Sequence, residues 1–361
     1  MAYTTIDDPT KFFSTNLWVG DDTSPRTLTG FGHQPDFVWA RYRDSGSLNH
    51  VLTDSVRGGD KMVFSNSNAA EDTKSHGEIT SFNSDGITVA DGTNSTYPRL
   101  YFNDDDPFGA GTAGNYVGWS WKAGGTAVSN GDGSITSTVS ANTTAGFSIV
   151  KYTGSGSGSA TVGHGLGVKP KLLIIKSMTN SENWGFWIDT TGNGTADKRL
   201  VLNGNAGDYG NYFVSFQNNT FTLPSHNDGS WSGSGQNYIA YCFAEKQGYS
   251  KFGKYVGNGD SNGPFIYTGF KPAFVIVKAA GGTTDWRMNG PDGVFLSANT
   301  TAAVYDSAPG PIDRVSNGFK IRGGDDLRAS GGTFIYMAWA KNPFVTSTGV
   351  PTTAGSTGPA T

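Results

Sequence analysis

The groups in this chain whose types suit chemistry are five histidines, one cysteine and several runs of aspartate. A nucleophile site needs a hydroxyl or thiol, an imidazole to take its proton and a third group to orient the ring. His33, His50, His76, His164 and His226 supply imidazoles, and Cys242 supplies the lone thiol. Paired carboxylates suited to glycoside hydrolysis occur as Asp104, Asp105 and Asp106 in "NDDDPFG". Others are Asp325 and Asp326 in "RGGDDLR", and Asp21 and Asp22 in "WVGDD". Adjacent carboxylates on such loops are the usual residues of solvated turns. Calcium is their more specific use: "DTTGNGTAD" at 189–197 and the Asp104–Asp106 run both set oxygen ligands on glycine-bent loops, although neither has EF-hand spacing. Exposed indoles stack on sugar faces, and Trp231 in "NDGSWSGSG" is the ring expected to be exposed. Trp231, Asp104, Asp105 and Asp106 are therefore the candidate ligand contacts. No catalytic residue, cofactor or metal is expected.

The elements that must position these residues recur. "WVGDDTSPRTLTGFGHQPDFVWAR" at 18–41, "YTGSGSGSATVGHGLGVKPKLLIIK" at 152–176 and "YVGNGDSNGPFIYTGFKPAFVIVK" at 255–278 share one plan. In each, a proline (Pro35, Pro170, Pro272) is followed six residues later by a basic residue (Arg41, Lys176, Lys278). A second anchor reads "SDGITV" at 84–89, "NNTFTL" at 218–223 and "SNGFKI" at 316–321. A third reads "NYVGWSWKA" at 115–123, "NYIAYCFAE" at 237–245 and "TFIYMAWAK" at 333–341. Its alternation of large and small residues is that of a strand with one face in a core and the other closely covered. The strand after each proline is apolar at almost every position, which predicts burial on both faces, and proline suits a strand start.

This comparison also weighs the candidate chemistry. His33 falls where Val168 and Phe270 stand in the other copies, so packing shapes that position. Cys242 shares its column with Ser120 and Ala338 and reads as a small buried filler. Trp184 and Trp286 each lie 14 residues after a proline and read as core residues of the repeat; His50 stands one residue further on in the first copy.

The 361 residues include 52 glycines and only four glutamates, with 13% aromatic and 16% charged residues, and no stretch has sustained helical periodicity. The fold class expected is all-β: three tandem β-sandwich, jelly-roll-like repeats over 14–125, 145–248 and 249–344. An N-terminal arm (1–13), a Gly/Ser/Thr-rich linker (126–144) and a low-complexity C-terminal arm (345–361) complete the chain. The second and third repeats, joined by "EKQGYSKFGK", are expected to form a rigid pair. A net charge of −4 without a basic stripe argues against nucleic acid, and a single cysteine excludes an internal disulfide framework. The opening residues lack a secretory signal pattern, and no apolar run is long enough to span a membrane.

The repeats, with "SANTTAGFSIVKYTGSGSG", "YCFAEKQGYSKFGKYVGNG" and the opening "MAYTTIDDPTKFF", resemble a tandem-repeat family of structural and tail-fibre-like virion proteins of marine bacteriophages, over residues 1–344. The resemblance implies a non-enzymatic protein on the particle exterior, a head decoration or short appendage, assembled in the host cytoplasm. Its partners would be other capsid or tail proteins and further copies of itself, a trimer among the arrangements. The alternatives are a tail-fibre module recognising a host surface glycan and, behind it, a glycan depolymerase. The insertion "NSTYPRLYFNDDDPFG" at 94–109 is the expected attachment feature.

Overall fold

The computed structural model describes residues 4–343 except 45, 47, 110, 112, 227, 228, 292, 294, 305–309 and 323–325. The C-terminal arm expected over 345–361 lies outside the described residues, as does Asp325.

The described chain is all-β, and its strands fall into three large and three small antiparallel sheets. The first large sheet runs β1 (Phe13–Val19), β9 (Asn115–Trp121), β3 (Phe37–Tyr42), β4 (Val51–Asp54), β5 (Gly58–Phe64) and the two-residue β6 (Asp72–Thr73). Facing it are β2 (Arg26–Thr29), β8 (Gly86–Ala90) and β7 (Glu78–Asn83). The second runs β10 (Val128–Asn130), β11 (Ser137–Asn142), β12 (Phe147–Thr153), β19 (Asn237–Phe243), β14 (Leu172–Ser177), β15 (Gly185–Ile188) and β16 (Lys198–Val201). Its partners are β13 (Thr161–Gly163), β18 (Thr220–Thr222) and β17 (Ser215–Phe216). The third runs β20 (Ser250–Val256), β27 (Thr333–Pro343), β22 (Phe270–Ala279), β23 (Arg287–Asn289) and β24 (Phe295–Ser297), over β21 (Asn262–Tyr267), β26 (Gly318–Arg322) and β25 (Ile312–Val315).

One order underlies all three. Leaving aside the two-residue β6, within each unit the first strand pairs with the last, the last with the third, the third with the fourth and the fourth with the fifth, while the second pairs with the seventh and the seventh with the sixth. First-with-last and second-with-next-to-last pairing nests the strands as in a jelly roll. The second sequence anchor supplies the middle strand of each small sheet. There Gly86 and Gly318 lie so close to the neighbouring strand that an added Cβ would sit 1.9 Å from the Leu28 carbonyl oxygen and 2.1 Å from that of Ile266.

Two corrections follow for the expected organisation. Residues 126–144 are not a linker: β10 and β11 extend the second large sheet, β11 pairing with β12 from Ser137↔Tyr152 to Asn142↔Phe147. Ile135 and Val139, two of the apolar residues in that Ser/Thr-rich stretch, enter the core of the second sandwich. Composition hid them, because small β-formers bury little area yet complete the same backbone ladder. Nor do the second and third units form a pair apart from the first. All three large sheets pack against one another around a shared core.

That shared core explains the two-faced burial of the proline strands. Phe37 and Trp39, Leu172 and Ile174, and Phe274 and Ile276 point into it, whereas Val38, Leu173 and Val275 point into the separate sandwich cores. The last strands divide in the same way. Val117, Trp119 and Trp121, Ile239, Tyr241 and Phe243, and Ile335, Met337 and Trp339 face the shared core, whereas the residues between them, such as Ala240, Cys242, Tyr336 and Ala338, face the sandwiches. At its centre Trp121, Phe243 and Trp339, one from each last strand, meet edge to face, with centroids 6.2, 5.3 and 5.5 Å apart and planes at 70°, 73° and 68°. The N-terminal residues join this packing: Ile6 is buried in the shared core.

Backbone hydrogen bonds close the ring of units. Glu71 N–H donates to Met178 O (3.0 Å), Asp208 N–H to Ala280 O (2.6 Å) and Val304 N–H to Arg43 O (2.9 Å). Each donor lies seven residues past the end of a fifth strand, and each acceptor eight past a repeat proline. The tryptophans add a second seam: Trp184 Nε1 donates to Phe64 O (2.8 Å) and Trp286 Nε1 to Val201 O (3.1 Å). In the first unit the buried His50 ring takes that place, beside the Ser297 backbone. The basic residues Arg41, Lys176 and Lys278 are fully buried. Arg41 donates to Thr301 O and Ala302 O of the third unit, and Lys176 to Asn68 O of the first. The chain is thus a pseudo-threefold ring of three sandwiches.

Each unit leaves an apolar sheet face that only the other two can cover. Trp339→Ala is therefore expected to cost about 3–5 kcal/mol and to lower one cooperative transition for the whole chain, read by far-UV circular dichroism in urea. A separate early transition for the third unit alone would contradict this. A fragment spanning 145–248 is expected to give a poorly dispersed amide NMR spectrum.

Candidate functional site

A cleft of about 640 Å³ opens between the first strand and the third unit. One wall is β1, an edge strand whose outer side no other strand covers among the described residues. The opposite wall is the start of β22, where the register shifts twice around Pro272, as expected of a residue with no N–H to give the ladder. Ile312, Asp313 and Arg314 on β25 close it. Arg314 ties the wall together by donating to the Ala273 and Pro291 carbonyls, and Asp313 pairs with Arg322 at 2.7 Å. Exposed Lys271 and Lys341 stand at the cleft's edge.

One lining position differs between the second and third units. Trp187 pairs with Leu173 on β14, and Asn289 pairs with Val275 at the matching place on β22. In the second sandwich the Trp187 indole fills the interior and donates to Tyr212 O. In the third, Asn289 is 1% exposed, lines the cleft, and its Oδ1 has no hydrogen-bond partner among the described residues. Thr15 Oγ1, on the β1 wall, is likewise buried without a partner among the described residues.

A chain of hydrogen bonds runs from the cleft into the first unit. Ser14 Oγ lies 2.9 Å from Ser120 Oγ, which lies 3.1 Å from His33 Nε2. His33 Nδ1 is 2.8 Å from the Thr10 carbonyl oxygen, so Nδ1 carries the ring proton and Nε2 accepts. The arrangement looks like a nucleophile with its base, but a backbone carbonyl replaces the orienting carboxylate. Burial pulls the His33 pKa down to about 4, which makes it a weak base, and Ser120 is fully buried. Cys242 is also fully buried, and its thiol is pushed well above the usual range by burial.

The sequence-derived ligand contacts fall elsewhere. Trp231, expected to be exposed, is fully buried. Its Nε1 donates to His226 O, its ring meets Trp187 edge to face at 5.6 Å, and the Arg199 guanidinium covers it at 5.0 Å. A large ring in a Gly/Ser loop looked solvated, but the second sandwich is wide enough to take two indoles. Asp104, Asp105 and Asp106 sit on the inserted loop, and the carboxylates of Asp104 and Asp105 converge with that of Asp22 to within 4.8 Å. The group already has internal partners: Arg99 lies 3.3 Å from Asp22, Asp105 N–H donates to Asp22, and Asp106 N–H donates to Asp104. Burial raises the Asp104 pKa, and the neighbouring Asp22 and Asp105 charges add to the shift.

In the 189–197 loop Asp189 caps the backbone. Its oxygens accept from the N–H groups of Thr191, Gly192 and Gly194 at 3.0, 2.6 and 2.8 Å. Burial pushes its pKa up, but these donors together outweigh burial and the net shift is downward. Asp197 in turn accepts from Thr190 N–H and its hydroxyl. Both carboxylates hold their own loop.

The cleft residues were not legible in the sequence, because β1 and β23 are more than 250 residues apart. The comparison of Trp187 with Asn289 was the one available signal.

Two outcomes follow from these environments. His33 stays neutral in the fold down to about pH 4, whereas the unfolded chain protonates it near 6.5. Unfolding therefore takes up a proton in that window, and stability falls as pH drops from about 6.5 to about 4, by about 1.4 kcal/mol per pH unit for this ring. Urea midpoints at pH 7, 6, 5 and 4.5 are expected to decline less steeply in His33→Asn; an unchanged slope would contradict the assignment. Calcium added in millimolar excess, or removed with chelator, is expected to leave the melting temperature unmoved.

No curated protein and no solved structure matches the chain. A family model matches residues 8–343, and the chain belongs to the family it describes, a domain of unknown function, DUF7483.

Proposed function

We propose that this chain is a non-enzymatic structural protein of a bacteriophage exterior, seated as a head decoration or short appendage. The observation that carries the reading is the closed ring of three like units. One chain presents three similar faces around an axis, the geometry needed to sit over a threefold position on a symmetric particle. Because the threefold is internal, one chain per position suffices, in place of the trimer that the sequence suggested. The resemblance of residues 1–344 to virion proteins supports the same reading. So does the architecture, in which loops project from a rigid three-part support.

Purified protein mixed with phage heads stripped of surface proteins is expected to pellet saturably, in a fixed ratio to the shell protein. Pelleting with host cells alone would replace this reading with receptor recognition, and attention would then move to the 94–109 insertion. Pelleting with neither would remove both.

A further inference from the structure

One register position of the repeat is treated differently in the third unit. The residue opposite the middle of the proline strand is Thr53 in the first unit, Trp187 in the second and Asn289 in the third. Their partners are Val38, Leu173 and Val275, and all three are buried. The Thr53 hydroxyl donates to Gly58 O (3.4 Å) and the Trp187 indole to Tyr212 O (2.8 Å), so each is bonded inside its own unit. Asn289 keeps an amide oxygen with no partner among the described residues, and of the three it alone lines the cleft.

A buried acceptor is costly to leave unbonded, and a site built on one selects a ligand that carries a donor. The terminal torsion of asparagine is soft, so the amide can swing its oxygen toward the cleft. Thr15 Oγ1, on the β1 wall, is the second such group among the described residues, and a hydroxyl both donates and accepts. Ser14 and Asn16 add a hydroxyl and a carboxamide to the same wall. Pro272 and Ile312 supply apolar patches that suit the C–H face of a sugar ring. The volume, about 640 Å³, falls within the range of about 300–1,000 Å³ usual for small-molecule sites.

The mouth of the cleft is cationic. Lys271 and Lys341 are exposed there, and Asp313, the carboxylate among the lining residues, is held by Arg322 at 2.7 Å. We propose that the cleft binds an acidic saccharide, a short oligosaccharide whose hydroxyls bond Asn289 and Thr15 and whose carboxylate or sulfate groups face Lys271 and Lys341. An acidic peptide would also meet the lysines, but it brings few hydroxyls to the inner wall. The site is independent of any seat on a particle, and its test needs only the purified chain.

Binding is read by isothermal titration calorimetry on the full chain. The acidic probes are a galacturonate trimer and a sulfated galactose trimer, with maltotriose as the neutral control and triglutamate as the peptide control. At least one acidic trimer is expected to bind saturably, at least about tenfold tighter than maltotriose, and to weaken as salt rises. Asn289→Leu puts an apolar group of similar size at the unbonded position. This variant, and the double variant Lys271→Ala with Lys341→Ala, are each expected to weaken that binding at least about tenfold. If Asn289→Leu does not fold, the lysine variant decides alone, since it changes only exposed groups. No saturable binding of either acidic trimer, equal affinity for maltotriose, or undiminished binding in the lysine variant would overturn the proposal. Triglutamate binding tighter than both trimers would overturn it in favour of an acidic peptide.

Discussion

Three aromatic rings, Trp121, Phe243 and Trp339, meet edge to face where the last strands of the three units converge, and the rest of the molecule is arranged around that contact. Each ring sits at the matching position of its unit, so the contact is possible only if all three sheets arrive at the same depth and angle. An edge-to-face pair sets the positive edge of one ring against the negative face of the next, and three such pairs make a closed triangle. The constraint reaches outward along every last strand, because three alternate residues of each must keep facing the shared core.

Polar groups then fix the rotation that packing alone would leave loose. Hydrophobic contacts are non-directional, whereas the three backbone bridges and the tryptophan seams each require one donor at one acceptor. Between the first and second units a buried group adds to them. Arg57 bonds Asp54 at 2.6 Å, Glu71 at 3.1 Å and the Tyr241 hydroxyl at 3.3 Å, and that hydroxyl donates to Asp54. The negative Asp54 and Glu71 hold the Arg57 guanidinium charged against the opposing effect of burial. Such a group contributes orientation more than net stability.

The three units are not equivalent throughout. The shared core is common to all three, but among the described residues the cleft, the inserted loop of the first unit and the extra strands β10 and β11 each occur once. Asn289 lines the cleft where the second unit has an indole, and β1, an edge strand among the described residues, forms its other wall.

The sequence by itself determined the class and the plan. Period-two alternation, glycine-marked turns and the three recurring anchors exposed an all-β chain built on one unit, because local backbone preference and one-sided burial leave their mark residue by residue. The proline strands even announced burial on both faces. What covers the second face was decided by the tertiary structure, because it depends on residues hundreds of positions away. Trp231 shows the limit clearly: its Gly/Ser surroundings describe a loop, while its burial depends on the width of the sandwich beneath. The linker reading of 126–144 failed for the same reason, since a Ser/Thr-rich strand is recognisable only beside the open edge it pairs with. The cleft was least legible of all, since a cavity is defined by what is missing between distant walls, and no local pattern records that.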